Sequence, residues 1–263
     1  MSETGGASLS IKHGVATILL DRKNARNAML HATWRALPRL VAEAEGDRRV
    51  RAIVLRGAGT HFGSGNDISE FGKMRSDPVN CREYGRSMAD AMVAVENASK
   101  PVISAIEGNC YGASVALALT ADFRVSAADA RFAITPAKLG ALYLRSDLYR
   151  LVATVGQGQA RRMIFTAGAI DATEAHTIGL VDKISETARF DEELDLVLQD
   201  ILRGSPFTLH HSKRMLRRAG HGEAPVEDEE SLGWFVDAMQ GADFAEGYAA
   251  FMEKRAPNFV QSL

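Results

Sequence analysis

The sequence has few cysteines, almost no net charge and no long apolar run. Its 263 residues include two cysteines, Cys81 and Cys110, which are far apart and show no metal-type spacing. Such sparse cysteine excludes a disulfide framework and favours a reducing compartment. The formal net charge of −2 at pH 7 gives no electrostatic reason to expect a nucleic-acid partner.

Membrane and secretion signals are also missing from the sequence. No apolar run approaches the roughly 20 residues that cross a bilayer, so we expect no membrane partner. The opening "MSETGGASLS" has no apolar core flanked by basic residues, and we expect no signal peptide. Together with the cysteine content, these features predict a cytoplasmic protein. The seven histidines show no metal-type pairing apart from the neighbours His210 and His211, so we expect no metal.

One basic run departs from the neutral average. The stretch "HHSKRMLRR" extends from His210 to Arg218. We interpret it as the solvated face of an amphipathic helix, with Met215 and Leu216 turned inward, because charge runs of this kind are usually solvated.

Strand and helix patterns alternate through most of the chain. Tyr84, Met88, Met92 and Val95 recur at three- and four-residue steps, which predicts an amphipathic helix. Another helical pattern, "HATWRALPRLVAEAEG", contains Pro38, so we expect that helix to start late or to kink. The alternation predicts α/β architecture. Four stretches read as strands: "GVATILLD", "RAIVLRGAG", "PVISAIEG" and "DFRVSA".

The final part of the sequence reads differently. From about Phe190 the pattern is wholly helical, and Gly204-Ser205-Pro206 interrupts the helical period. We therefore predict a core over 1–203 and a helical region over 204–263.

Two strand-to-turn junctions are candidates for chemistry. One is "HFGSGNDISEF" after the strand at Ile53–Leu55, and the other is "GNCYGASVALALTAD" after Val102–Ile106. Small residues let the backbone approach a ligand, and the first N–H groups of a helix have no partner within it. Such donors favour a negative oxygen. The alternative is a tight strand–helix connection that serves only packing.

Five blocks of sequence resemble the crotonase (enoyl-CoA hydratase/isomerase) family. The resemblance implies a spiral of ββα turns followed by a helical trimerisation region. It also implies acyl-CoA thioesters as substrates, with coenzyme A as part of the substrate and no permanently bound cofactor. The assembly implied is a homotrimer or a dimer of trimers. The blocks are "LDRKNARNAM", "AIVLRGAGTHFGSGNDISEF", "KPVISAIEGNCYGASVALALTADFRVSAADARF", "TAGAIDATEAHTIGLVDKI" and "EGYAAFMEKRAPNF".

The same resemblance assigns site residues by position. Two backbone N–H groups, of Asn66 and Ala113, would hold the thioester oxygen and stabilise an enolate. Family members usually have glycine at the second place, so Ala113 would narrow the pocket. Phe251 and Lys254 of a neighbouring subunit would contact the adenine and a phosphate of CoA. The remaining substrate and CoA contacts would come from Asn24, Ala25, Arg26, Ala28, Ser64, Asp67 and Ile68.

Departures from the family pattern are as informative as the matches. The two glutamates of the hydratases are replaced by Ala116 and Pro136, which puts hydration and isomerisation in doubt, since both need an acid–base group. The stretch "FAITPAKLGALY", with Tyr143 after Gly140, is similar to methylmalonyl-CoA decarboxylase members. Those members have histidine where this chain has Asn66.

Three functions follow from these features. The leading hypothesis is a decarboxylase-like lyase in which Tyr143 orients the carboxylate or protonates the enolate. A second is hydration or isomerisation that uses Asp147 or bound water. A third is a CoA-thioester-binding protein without catalysis, or an RNA-binding relative of the family, although the near-neutral charge counts against RNA.

Overall fold

A mostly parallel sheet forms the centre of the fold in a computed structural model that describes residues 4–220, 222 and 226–259. The strands of the described residues are β1 Ala7–Lys12, β2 Val15–Leu20, β3 Ala52–Gly57, β4 Val102–Ile106, β5 Asn109–Tyr111, β6 Phe123–Ala127, β7 Arg131–Ala133, β8 Ile170–Asp171 and β9 Lys183–Ser185. The main sheet has the order β1-β2-β3-β4-β6-β9, with only the β1–β2 pair antiparallel. A smaller sheet has the order β5-β7-β8.

Helices cover both faces of the main sheet and form the C-terminal region. They are α1 His31–Gly46, α2 Phe71–Ser76, α3 Pro78–Glu96, α4 Ala113–Ala118, α5 Pro136–Leu139, α6 Arg145–Thr166, α7 Ala172–Thr177, α8 Phe190–Arg203, α9 Pro206–Gly220, α10 Glu229–Gln240 and α11 Ala242–Glu253. α6 is broken at Gly156, whose φ of 73° and ψ of 162° are not helical. The predicted strands correspond to β2, β3, β4 and β6, so the α/β prediction is confirmed.

Two apolar layers enclose the main sheet. Ile53 and Leu55 of β3 belong to a core cluster that also contains residues of α1 and α3. Ala52 and Val54 alternate with them and belong to a second cluster that includes Leu194 of α8. This period-two alternation is what a strand buried on both faces requires.

The helix with an internal proline differs from the expectation. α1 begins at His31 and continues through Pro38 to Gly46, so the expected late start is wrong. The Thr33 side chain accepts a hydrogen bond from the N–H of Leu30 at 3.1 Å, and this bond supports the first turn. Trp34 and Leu37, both fully buried, anchor the helix to the core, and this packing offsets the hydrogen bond that proline removes.

The basic run on α9 faces the opposite way from the prediction. Met215 and Leu216 are 42% and 73% exposed, so the expected inward orientation is wrong. Lys213 instead donates to Asp122 Oδ2 at 2.7 Å, and Arg217 donates to the carbonyl of Glu96 at 3.1 Å. Cations near a helix C-terminus are favourable, and Glu96 is the last residue of α3, so the basic face docks on the core.

Apolar side chains of α10 and α11 lie exposed. Phe235, Phe244 and Phe251 are 64%, 43% and 81% exposed. α8 ends at Arg203, where the sequence predicted an interruption, but the division into 1–203 and 204–263 stays a prediction. Of these two regions, residues 1–3, 221, 223–225 and 260–263 lie outside the described residues. None of the described helices is both long and apolar enough to cross a membrane.

Candidate active site

Two sharp turns meet at the edge of the sheet where β3 and β4 end. The strands are parallel neighbours, with Leu55 opposite Ser104, so the chain leaves both at the same edge. Gly65 has a φ of +92° and Gly112 a φ of +54°, a region that L side chains rarely adopt. A Cβ on Gly65 would come within 3.2 Å of the Ala113 nitrogen, so glycine is what permits the contact.

Hydrogen bonds fix the two turns against each other. The N–H of Gly65 donates to Ser114 Oγ at 3.0 Å. The N–H of Tyr111 donates to the carbonyl of Gly63 at 2.9 Å, and the N–H of Gly63 donates to the carbonyl of Asn109, also at 2.9 Å. The geometry of the site is therefore set by the backbone.

Two backbone N–H groups beside this network lack a hydrogen-bond acceptor among the described residues. Within the described part of the chain, the amides of Asn66 and Ala113 donate to no acceptor. Ala113 is the first residue of α4, where a helix has unpaired donors. Both groups flank the Gly65–Gly112 contact, so together they can receive one oxygen that gains negative charge, as in an oxyanion hole.

Two contacts restrict the rotation of the Asn66 side chain. Its Oδ1 accepts from Trp34 Nε1 at 2.9 Å, and its Nδ2 lies 3.5 Å from Met88 Sδ. Trp34 is fully buried, so this bond pins the turn that presents the Asn66 amide.

Tyr143 contacts the second turn directly. Its hydroxyl donates to the carbonyl of Gly112, the carbonyl of the same peptide group whose N–H belongs to Ala113. Hydrogen bonding to the carbonyl polarises that N–H and fixes the plane of the peptide. Burial raises the pKa of Tyr143 well above its ordinary value, so the phenol keeps its proton.

Thr135 stands at the place where the family pattern has proline, and no role was predicted for it. Its Oγ1 lies 3.4 Å from the point where a Cβ on Gly112 would stand. Although Thr135 precedes the first residue of α5, its side chain makes no capping hydrogen bond. The hydroxyl of Thr135 therefore lies beside the Gly112 turn without capping α5. In the sequence, the threonine of "FAITP" is the one sign of this polar group.

Non-ionisable residues occupy the two places at which the resemblance to the family implies glutamates in hydratases. Ala116 is fully buried in α4, and Pro136 is the first residue of α5. Asp147 is the acid in the neighbouring segment; its side chain is 1% exposed and its Oδ1 lies 3.1 Å from Arg150 Nη1. Burial raises the pKa of Asp147 to about 6, against the lowering effect of Arg150.

The residues predicted to contact CoA lie beside the first turn. Ser64 Oγ donates to the carbonyl of Ala25 at 3.1 Å, which joins the turn to the 24–28 loop. Asn27 is buried and donates to the carbonyl of Ala58 at 2.9 Å, which anchors this loop. Arg26 is exposed, and its guanidinium has no partner among the described residues. An unpaired guanidinium of this kind can bind a phosphate group.

The other residues predicted to contact the substrate or CoA differ in exposure and in distance from the two turns. Ile68 is 67% exposed at the turn. Asp67 is engaged internally: its Oδ2 pairs with Arg22 at 2.7 Å, and its Oδ1 accepts from the N–H of Ser69. Phe251 and Lys254 lie at the end of α11, and in the described chain neither contacts the turns at Asn66 and Ala113.

The chain is similar to known proteins in sequence and in fold. A family model described as enoyl-CoA hydratase/isomerase matches residues 10–262. A short-chain-enoyl-CoA hydratase from Clostridium acetobutylicum is 30% identical over 242 residues, 92% of each chain. A methylmalonyl-CoA decarboxylase from Escherichia coli is 28% identical over 215 residues, 80% of this chain and 81% of that protein. The crystal structure of an enoyl-CoA hydratase/isomerase family protein from Hyphomonas neptunium matches with a TM-score of 0.94 at 37% identity, covering 99% and 100% of the two chains. The expected fold is confirmed.

Gly65→Ala tests whether the two turns must touch. The new Cβ would lie 3.0 Å from the carbonyl oxygen of Tyr111, so the turns should separate and turnover of an acyl-CoA substrate should fall about 10²-fold or more. Gly46→Ala at the end of α1 is the control, because its Cβ would meet nothing within 4 Å, and its turnover should stay unchanged. Equal turnover in both variants, with folding checked by circular dichroism, would contradict the assignment.

Proposed function

The chain belongs to the enoyl-CoA hydratase/isomerase family, and within it we propose a lyase that removes CO₂ from a 2-carboxyacyl-CoA of the methylmalonyl-CoA type. One observation carries the proposal. Among the described residues, the amides of Asn66 and Ala113, on adjoining turns, are without an acceptor, whereas Ala116 and Pro136 stand where the resemblance to the family implies the acids of hydratases. The similarity to a methylmalonyl-CoA decarboxylase supports the same reaction.

Breaking the carbon–carbon bond requires hydrogen-bond donors and does not require a base. When the bond between C2 and the carboxylate breaks, its electron pair forms the thioester enolate and CO₂ leaves. The enolate oxygen accepts from the amides of Asn66 and Ala113, and each such donor contributes about 3–4 kcal/mol in comparable sites. A proton then adds to C2. Coenzyme A takes part only as a portion of the substrate, and this step calls for no resident cofactor.

The surroundings of the oxyanion pair also support loss of a carboxylate. Ala113, Ser114 and Ala116 are buried, so a bound substrate would lie in a poorly hydrated site. A carboxylate loses hydration there, while the neutral product CO₂ does not. We assign Tyr143 to holding the Gly112–Ala113 peptide, since its hydroxyl hydrogen is already donated.

A second candidate function is hydration or isomerisation with Asp147 as the acid–base group. The observation in its favour is the pKa of about 6, which suits proton transfer near neutral pH. The relatives named as hydratases are consistent with it.

We further propose that CoA is bound between subunits of a homotrimer or a dimer of trimers. Arg26 and the 24–28 backbone of one subunit would hold the nucleotide, with Phe251 and Lys254 of its neighbour. The exposed aromatic groups on α10 and α11 support burial against another copy, because large apolar patches on a surface mark interaction sites.

Light scattering at micromolar concentration should give three or six times the 28.4 kDa chain mass. Phe235→Asp should shift the mass toward that of one chain, because an isolated carboxylate is costly to bury. Val79→Asp is the control, because Val79 on α3 is also exposed, at 74%. A wild-type mass of 28.4 kDa would contradict both the assembly and the shared CoA site.

The reaction itself is tested by offering methylmalonyl-CoA and crotonyl-CoA to the same preparation. We expect bicarbonate release from the first. Loss of enoyl absorbance from the second should be about 10⁴-fold slower than with a two-glutamate relative, if each acid–base partner contributes about 10²-fold. Fast hydration without CO₂ would contradict decarboxylation and favour Asp147 as the acid. Neither reaction, with CoA esters still bound, would favour the non-catalytic alternative.

Tyr143→Phe tests the peptide-holding role. Loss of the hydroxyl should lower the rate of CO₂ release by about tenfold to 10²-fold, because the Ala113 amide loses its fixed direction. Affinity for CoA, measured by calorimetry, should change little, since the predicted nucleotide contacts lie elsewhere. An unchanged rate would remove Tyr143 from the mechanism.

A further inference from the structure

A buried chain of three charged side chains links α3 to α6. Arg150 Nη1 lies 3.1 Å from Asp147 Oδ1, and Arg150 Nη2 lies 2.8 Å from Glu96 Oε2. The side chains of Asp147, Arg150 and Glu96 are 1%, 12% and 25% exposed. Arg150 therefore fixes Asp147 in poorly hydrated surroundings, where charged hydrogen bonds are strong, and Glu96 holds the other side of the guanidinium nearer to solvent.

Two buried atoms of this network, Asp147 Oδ2 and Arg150 Nε, have no hydrogen-bond partner among the described residues. A buried acceptor without a partner costs about as much as a lost hydrogen bond, and such atoms are rare in folded proteins. Protonation of that oxygen removes the cost of an unpaired charge, so the geometry favours a carboxyl group that holds a proton to transfer.

The position of this carboxyl relates it to the oxyanion turn. Asp147 lies in the first turn of α6, close after Tyr143, whose hydroxyl contacts the Gly112 carbonyl. α6 packs against α4, the helix that begins with Ala113. Arg150 and Glu96 also line a cavity of about 800 Å³, which gives water access to the network.

Resting on the enolate chemistry proposed above, we propose that Asp147 delivers the proton to C2 of the enolate. Arg150, itself held by Glu96, is the positioning residue that occupies Oδ1 and leaves Oδ2 bare. The O–H bond of Asp147 breaks, the enolate electron pair forms the C2–H bond, and Asp147 is left as a carboxylate. Water then returns the proton through the cavity. Tyr143 does not compete, because its hydroxyl hydrogen is donated to Gly112.

The charged groups that face the carboxyl have opposite effects on it. Burial raises the pKa of Asp147 to about 6; Arg150 on α6 lowers this pKa, and Glu96 on α3 raises it. Removing either neighbour should therefore move the titration of Asp147 in a known direction. These shifts appear in the pH profile of the catalysed reaction only if Asp147 is the group that transfers the proton.

The test uses exchange of the C2 hydrogens of propionyl-CoA in D₂O, followed by mass spectrometry. The group that protonates the enolate must, in its ionised form, remove the same hydrogen from the product thioester. Wild-type exchange should rise with pH through a midpoint near 6 and then level off, because the carboxylate is the active form. Asp147→Asn should lower the exchange rate about 10²-fold or more, within the general acid–base range.

Variants of the two neighbours separate positioning from folding. Arg150→Met should move the midpoint upward, and Glu96→Gln should move it downward. Arg150→Lys keeps the charge and should leave the midpoint near that of wild type. Arg161→Met is the matched control, because Arg161 lies on the same helix but bonds only to exposed Gln157, at 3.0 Å. Circular dichroism and binding of propionyl-CoA confirm that each variant folds.

The outcomes keep this inference apart from the proposed reaction. Exchange that survives in Asp147→Asn, or midpoints that ignore Arg150 and Glu96, would overturn the proton-donor role even if CO₂ is released. Absence of exchange in wild type that binds propionyl-CoA would also overturn it. Exchange that depends on Asp147 without decarboxylation of methylmalonyl-CoA would support the inference and reject only the reaction.

Discussion

Two peptide N–H groups, of Asn66 and Ala113, set the requirements that the rest of this site meets. An amide without an acceptor costs about 1–3 kcal/mol where water is scarce, so neighbouring bonds must hold it. Here the Gly65 amide binds Ser114 Oγ and the Tyr143 hydroxyl binds the Gly112 carbonyl. The parallel pairing of β3 and β4 and the two positive-φ glycines bring both amides to one place. Small side chains are needed there because the backbone supplies the donors.

The proposed acid–base group is a side chain on another helix, whereas the two proposed oxyanion donors are backbone groups. Ala116, at the place where the resemblance implies a glutamate in hydratases, is fully buried and offers no proton. The fold instead buries Asp147 on a neighbouring helix and neutralises one of its oxygens with Arg150. In the mechanism that we propose, the donor pair and the proton source are therefore carried by different elements. One can be altered without the other, which allows related folds to run different reactions on thioesters.

Sequence patterns succeeded where a local rule decides the outcome. Alternating and helical apolar spacing depend on short-range geometry, and they correctly predicted β3, β4 and α3. The same reasoning failed for Met215 and Leu216, because the basic side of α9 binds distant carbonyls such as that of Glu96. It also missed β1, which is a strand through its antiparallel pairing with β2.

The sequence by itself determined the alternation of strands and helices, the two glycine turns, and the absence of acids at 116 and 136. Each of these is written in consecutive residues. Only the tertiary structure decided that Tyr143 donates to Gly112, that Thr135 stands beside that glycine, and that Arg150 and Glu96 hold Asp147. Apart from the Asp147–Arg150 pair, which lies three residues apart on α6, these contacts join segments far apart in the chain. Their distances depend on how helices pack against the sheet, which no local pattern encodes.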